Sequence, residues 1–110
     1  MTTVLGVDIG TQSVKVVIYD AEAKDCIATA SAPLELKQSS DGTASQRAEW
    51  WVRALQQAVS KLDRNARVRV SAIGVSGQQH GFVPIDESGK VLAPVKLWCD
   101  TSTTAECEAI

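Results

Sequence analysis

The run Gly6–Asp20, GVDIGTQSVKVVIYD, puts a carboxylate, Asp8, at the end of an apolar stretch and directly before Ile9-Gly10-Thr11-Gln12-Ser13. A tight turn between two strands presents backbone N–H groups. Gly10 lets another group approach that backbone closely. The hydroxyls of Thr11 and Ser13 add donors, and a nest of donors suits phosphate oxygens. Gly10, Thr11, Gln12, Ser13 and Lys15 are therefore candidate phosphate-binding residues, with Lys15 contributing positive charge. A carboxylate beside a phosphate is repelled unless a cation lies between them. Asp8 thus reads as a ligand, direct or through water, for Mg²⁺, which takes oxygen ligands and keeps several waters. The same Asp and Gly would also serve an ordinary hairpin turn; Ser13, Lys15 and the flanking strands favour the chemical reading. Neither G-x-x-x-x-G-K-[ST] nor G-x-G-x-x-G occurs.

The elements that must position these residues follow from periodicity. Val4–Ile9 and the β-branched Ser13–Tyr19 read as strands around the turn Gly10–Gln12. Asp20–Lys24 is a polar turn, and Cys26–Leu36 a third strand. Short links make the three an antiparallel meander. Lys37–Ala44 reads as a loop. Ala48, Trp51, Val52, Leu55, Ala58, Val59 and Leu62 form one apolar stripe, predicting a helix over Ala48–Leu62 with Ser45 as its cap. Trp50 packs at the stripe's edge. Val68–Val75 is apolar enough for a central strand, brought back parallel by the helix, and polar Ser76–Gly81 interrupts it. Phe82–Ile85 and Lys90–Leu92 flank a hairpin signal. Thr101–Thr104 caps a last helix that begins at Ala105. The sequence stops within that helix without a capping residue, as expected of part of a longer chain.

Composition bounds the function. The 110 residues are 45% hydrophobic and 22% charged, an ordinary globular balance suited to one domain or part of one. A formal net charge of −2 excludes a basic nucleic-acid footprint. No apolar run approaches the roughly 20 residues of a membrane span, and Met1-Thr2-Thr3 offers no basic leader region. Three cysteines, Cys26, Cys99 and Cys107, without paired spacing fit neither a disulfide framework nor a structural zinc site. A soluble cytoplasmic protein is expected.

Asp8-x-Gly10-Thr11-x-Ser13-x-Lys15 resembles the first phosphate motif of the FGGY carbohydrate kinases, within the actin-like superfamily. Ile73–Asp86, IGVSGQQHGFVPID, resembles the G-I-x-G-Q-M-H-G segment of their xylulokinase branch: Gly74, Gly77, Gln78, His80 and Gly81 match, and Gln79 stands where Met is common. Leu97–Thr103, LWCDTST, is similar to the family's W-x-D-x-R region, although Thr101 and Ser102 stand where relatives often carry Arg. Ser45–Trp51 is a weaker match: Arg47 and Ala48 replace an Asp-Pro pair, so helix initiation is less strongly encoded. The resemblance implies an α/β fold: the N-terminal part, residues 1–110, of a first actin-like (ribonuclease H-like) ATPase domain. Its mixed sheet would be a three-strand antiparallel meander followed by a helix and a parallel strand.

The resemblance further implies ATP and Mg²⁺ as cofactors and a pentulose substrate, D-xylulose foremost, bound by Gln79, His80, Trp98 and Asp100. Gln and His exchange hydrogen bonds with hydroxyls, and Trp98 would stack on the sugar's apolar face. The plain alternatives are a loop histidine at His80, a core Trp98 and a turn or cap role for Asp100. The catalytic base and adenosine-binding motif of the family lie downstream, so the 110-residue chain is expected to be inactive alone. A homodimer of the full-length enzyme is compatible with the family; nucleic-acid and membrane partners are not expected. The runner-up readings are a kinase for D-ribulose or another ketose or polyol, a non-kinase actin-like ATPase, and a sugar-binding regulator.

Overall fold

The computed structural model describes residues 2–110. The chain runs β1 (Thr3–Ile9), β2 (Ser13–Asp20), β3 (Asp25–Pro33), β4 (Lys37–Gln38), β5 (Ala44–Gln46), α1 (Ala48–Ser60), α2 (Arg64–Arg67), β6 (Val70–Gly77), β7 (Val95–Lys96) and α3 (Thr104–Ala109). The main sheet has the order β3-β2-β1-β6. β1, β2 and β3 form the expected antiparallel meander, and β6 returns parallel to β1 after the helix.

Strict alternation divides this sheet into two faces. Leu5 and Val7 of β1, with Val14, Val16 and Ile18 of β2, are buried against Ala54, Ala58 and Leu62. Small alanines let α1 lie close to the strands, while Ile18 and Val14 have no exposed surface. Truncating Ile18 to Ala would cost about 2–5 kcal/mol. The opposite parity sends Asp8 and Lys15 to the other, open face. There, Asp8 is the register partner of Lys15 on β2 and of Ser76 on β6, and Lys15 is that of Ser31 on β3. The row Ser76, Asp8, Lys15, Ser31 therefore crosses the sheet on one face.

Five expectations are corrected. Ser45 does not cap α1: it belongs to β5, paired with Lys37 and Lys96, and the N-cap is Arg47, which makes no side-chain capping bond. Val52 lies on the shoulder of the helix stripe and is exposed, whereas Ala54 is buried. The strand expected over Val68–Val75 runs over Val70–Gly77 and lies at the sheet edge, its β1 side paired and most of its residues exposed. The segment expected as a loop contributes β4 and the start of β5 to a second sheet, ordered β4-β5-β7. Val95, Leu97 and Ala48 form a second core beneath it, with Trp51 packed alongside. The hairpin signal at 82–92 reduces to one bridge, Ile85 to Val91. Among the described residues, no helix is long and apolar enough to cross a membrane.

Candidate functional site

The β1–β2 turn closes through the Gly10 amide, which donates to the Ser13 carbonyl at 3.0 Å. A Cβ on Gly10 would meet that carbonyl at 3.2 Å, so the tightness of the turn explains the glycine. The Gly10 amide is thus spent inside the turn. Among the described residues, the amides of Thr11 and Gln12 donate to no protein group. They border an open cleft of about 450 Å³ lined by Asp8, Gly10, Thr11, Gln12, Ser13, Lys15, Leu36, Trp98 and Cys99. One cleft thereby gathers all six candidate phosphate- and metal-binding residues together with Trp98. Two free amides and a lysine fit phosphate oxygens, and the Asp8 carboxylate fits a cation held jointly with those phosphates. Among the described residues, no three His, Cys, Asp or Glu converge as a cage for a metal. One or two carboxylates, with phosphate oxygens and several retained waters, make the usual Mg²⁺ arrangement.

Gln79, His80 and Asp100 do not line this cleft. Gln79 and His80 are exposed on the segment after β6. His80 takes φ = 66°, the left-handed region that non-glycine residues enter at a cost. Such outliers concentrate at functional sites. Trp98 is not a core residue: 62% of its surface is exposed. Its indole N–H donates to Thr11 Oγ1 at 3.1 Å, which ties the tryptophan loop to the turn and leaves the ring face open.

The Asp100 carboxylate shapes that loop. Oδ1 accepts from the Ser102 hydroxyl at 2.6 Å and the Ser102 amide at 2.9 Å, and Oδ2 accepts from the Ala44 amide at 2.8 Å. These bonds, the Ser102 hydroxyl foremost, hold its pKa down to about 2. The turn role raised as an alternative is therefore filled, and the fourth acceptor position of the carboxylate remains for a ligand.

Gln46 and Gln78 are the polar residues whose weight the sequence did not reveal. Gln46 is completely buried. Gln78 reaches back from the end of β6 to the turn: its amide donates to the Ile9 carbonyl at 3.0 Å, and its Nε2 to the Gly10 carbonyl at 3.3 Å. One signal pointed toward Gln46: a half-buried Trp51 indole needs an acceptor.

The family model for the N-terminal domain of the FGGY family of carbohydrate kinases matches residues 3–110. The xylulose kinase of Haemophilus influenzae is 39% identical over 109 residues, which cover 93% of this chain and 22% of that protein. A xylulose kinase sequence from an Arthrobacter species is 42% identical over 100 residues, covering 91% of this chain and 96% of that sequence. Among solved structures, a xyloylose kinase from Brucella ovis superposes with a TM-score of 0.85 at 32% identity, over 97% of this chain and 24% of that one. The chain thus spans about a fifth of most of the relatives it matches, and its fold is the one expected from the sequence, that of an actin-like sugar kinase. On these grounds the chain belongs to the FGGY family of carbohydrate kinases.

Proposed function

We propose that this chain is the N-terminal part of the first domain of an ATP- and Mg²⁺-dependent ketopentose kinase, with D-xylulose as substrate and D-xylulose 5-phosphate as product. The observation that carries the reading is the cleft in which the free amides of Thr11 and Gln12, Lys15 and Asp8 meet the open face of Trp98. ATP with Mg²⁺, when bound, supplies the phosphoryl group and the countercharge for its transfer. The turn from Gly10 to Ser13 holds phosphate oxygens through amides and the Ser13 hydroxyl, Lys15 adds charge, and Asp8 orients the cation's shell. Trp98 stacks on the sugar, while Gln79, His80 and the remaining acceptor position of Asp100 engage its hydroxyls. In such transfers the protein chiefly positions reactants and stabilises charge. The proton acceptor for the sugar hydroxyl comes from a later segment. A cytoplasmic location belongs to the same reading.

The relatives' names support the substrate: curated proteins 34–42% identical to this chain are xylulose kinases. A panel of D-xylulose, D-ribulose, L-ribulose and glycerol offered to the full-length protein with MgATP tests it. D-xylulose is expected to give the highest kcat/KM, and the 110-residue chain alone no turnover. Preference for another sugar overturns the substrate assignment; turnover by the short chain overturns the downstream base.

A further inference from the structure

Gln46 sits outside the cleft, yet it joins the elements that build it. Its Nε2 donates to the Thr11 carbonyl at 2.7 Å and the Glu35 carbonyl at 2.8 Å. Its Oε1 accepts from the Trp51 indole N–H at 2.9 Å and from Gln78 Nε2 at 3.1 Å. A carboxamide has two donor hydrogens and two acceptor positions, and all four are used. Because Trp51 can only donate and the two carbonyls can only accept, the orientation of the amide is fixed. That fixes Gln78 in turn: its Nε2 faces Gln46 and the Gly10 carbonyl, so its Oε1 is left to accept from the Thr11 hydroxyl at 3.4 Å. The Thr11 oxygen accepts from Trp98. One continuous set of bonds therefore joins the two tryptophans: Trp98 donates to Thr11, Thr11 to Gln78 and Gln78 to the Gln46 oxygen, where Trp51 also donates. It links α1, β6, the β1–β2 turn and the tryptophan loop.

We infer that Gln46 is a positioning residue that sets the phosphate-binding turn and the sugar-stacking Trp98 relative to each other, an inference that rests on the functional reading above. A buried amide with every bond made holds one geometry, and losing one partner leaves several groups unpaired at once. The Thr11 hydroxyl follows: with its proton directed to Gln78, Thr11 meets phosphate through its amide.

Gln46→Glu tests this in the full-length kinase. It keeps the shape but sets a carboxyl oxygen against the carbonyls of Thr11 and Glu35. The expected result is a fall of about 10²-fold in kcat/KM for the ketose. KM should rise for both ketose and ATP, with partial recovery as the pH is lowered and the carboxyl regains a donor. A role confined to folding would lower only the amount of active enzyme; wild-type KM values and pH profile overturn the inference. Trp51→Phe, which deletes one donor and keeps the ring, is the milder variant if Gln46→Glu does not fold. Its expected effect is up to about tenfold in the same constants. Independently of turnover, the ¹⁵N-indole spectrum of the ligand-free protein should show the Trp98 resonance shifted in both variants. An unmoved Trp98 signal contradicts the chain of bonds. A wild type that phosphorylates no ketose defeats the functional reading, and the indole result still decides the role of Gln46.

Discussion

Replacing His80 with Gly should move stability and activity in opposite directions. His80 holds φ = 66° and is exposed. Left-handed backbone costs a residue with a Cβ roughly 1–2 kcal/mol, and glycine removes that cost. Glycine also gives the unfolded chain more freedom, worth about 0.5–1 kcal/mol against folding. An exposed imidazole forfeits little packing. The difference leaves His80→Gly more stable by about 0.5–1 kcal/mol, a rise of roughly 1–3 °C in melting temperature for a large protein. His80→Ala keeps the Cβ and gains nothing. If the imidazole contacts the ketose, both variants should raise KM for the sugar by several-fold to about tenfold, the worth of one hydrogen bond, and leave KM for ATP unchanged. The assay pairs thermal melts with steady-state kinetics on wild type, His80→Gly and His80→Ala. A destabilised His80→Gly refutes the backbone argument. Unchanged sugar KM in both variants refutes the contact.

Three further perturbations separate the roles assigned above. Asp8→Asn should lower the phosphorylation rate by about 10²-fold or more, by removing countercharge organisation. It should leave the melting temperature within about 1 °C of wild type, because the side chain is exposed; a large loss of stability would recast Asp8 as a structural residue. Thr11→Val removes the hydroxyl between Trp98 and Gln78, and Thr11→Ser keeps it. Denaturant unfolding without ligands should show Val less stable by about 1–2 kcal/mol and Ser close to wild type, whereas a Val variant of wild-type stability would return the hydroxyl to the phosphate. Asp100 carries a pH signature: its folded pKa of about 2 lies below its ordinary value of 3.8. A depressed carboxyl stabilises the fold fully above its unfolded pKa and loses that contribution as pH falls through the folded one. Acid titration of wild type against Asp100→Asn should therefore show the wild-type advantage intact above pH 3.8 and vanishing toward pH 2. A gap that persists below pH 2 would contradict the assignment.

The sequence disclosed most of what periodicity governs. β1, β2 and β3 alternate over seven to nine residues, and α1 repeats over 13, long enough to declare their faces. The parallel return of β6 follows from a helix lying between the strands. The β4-β5-β7 sheet was illegible because strands of two or three residues carry no period, and the pairing of Ser45 with Lys96 spans half the chain. That pairing also explains why Ser45 is unavailable as a cap. α2 is a single turn held by the Asp63 carboxylate accepting from the Ala66 amide, beneath the length a hydrophobic stripe can mark. The gathering of Asp8, Lys15 and the turn in one cleft was legible from residue type taken with spacing and the flanking strands. Gln46 was not, because its weight lies in partners from four other segments rather than in its type or spacing. Trp98 was legible as a ring but not as the donor that fastens its loop to Thr11.

The measurement that bears most directly on the central claim is a crystal structure of the full-length protein with D-xylulose, a non-hydrolysable ATP analogue and Mn²⁺, the metal located by its anomalous signal. The account predicts phosphate oxygens within hydrogen-bond reach of the Thr11 and Gln12 amides and the metal on the Asp8 side of them, with the sugar against the face of Trp98. Phosphates seated away from the Gly10–Ser13 turn, or a metal that neither Asp8 nor a water on Asp8 touches, would contradict it.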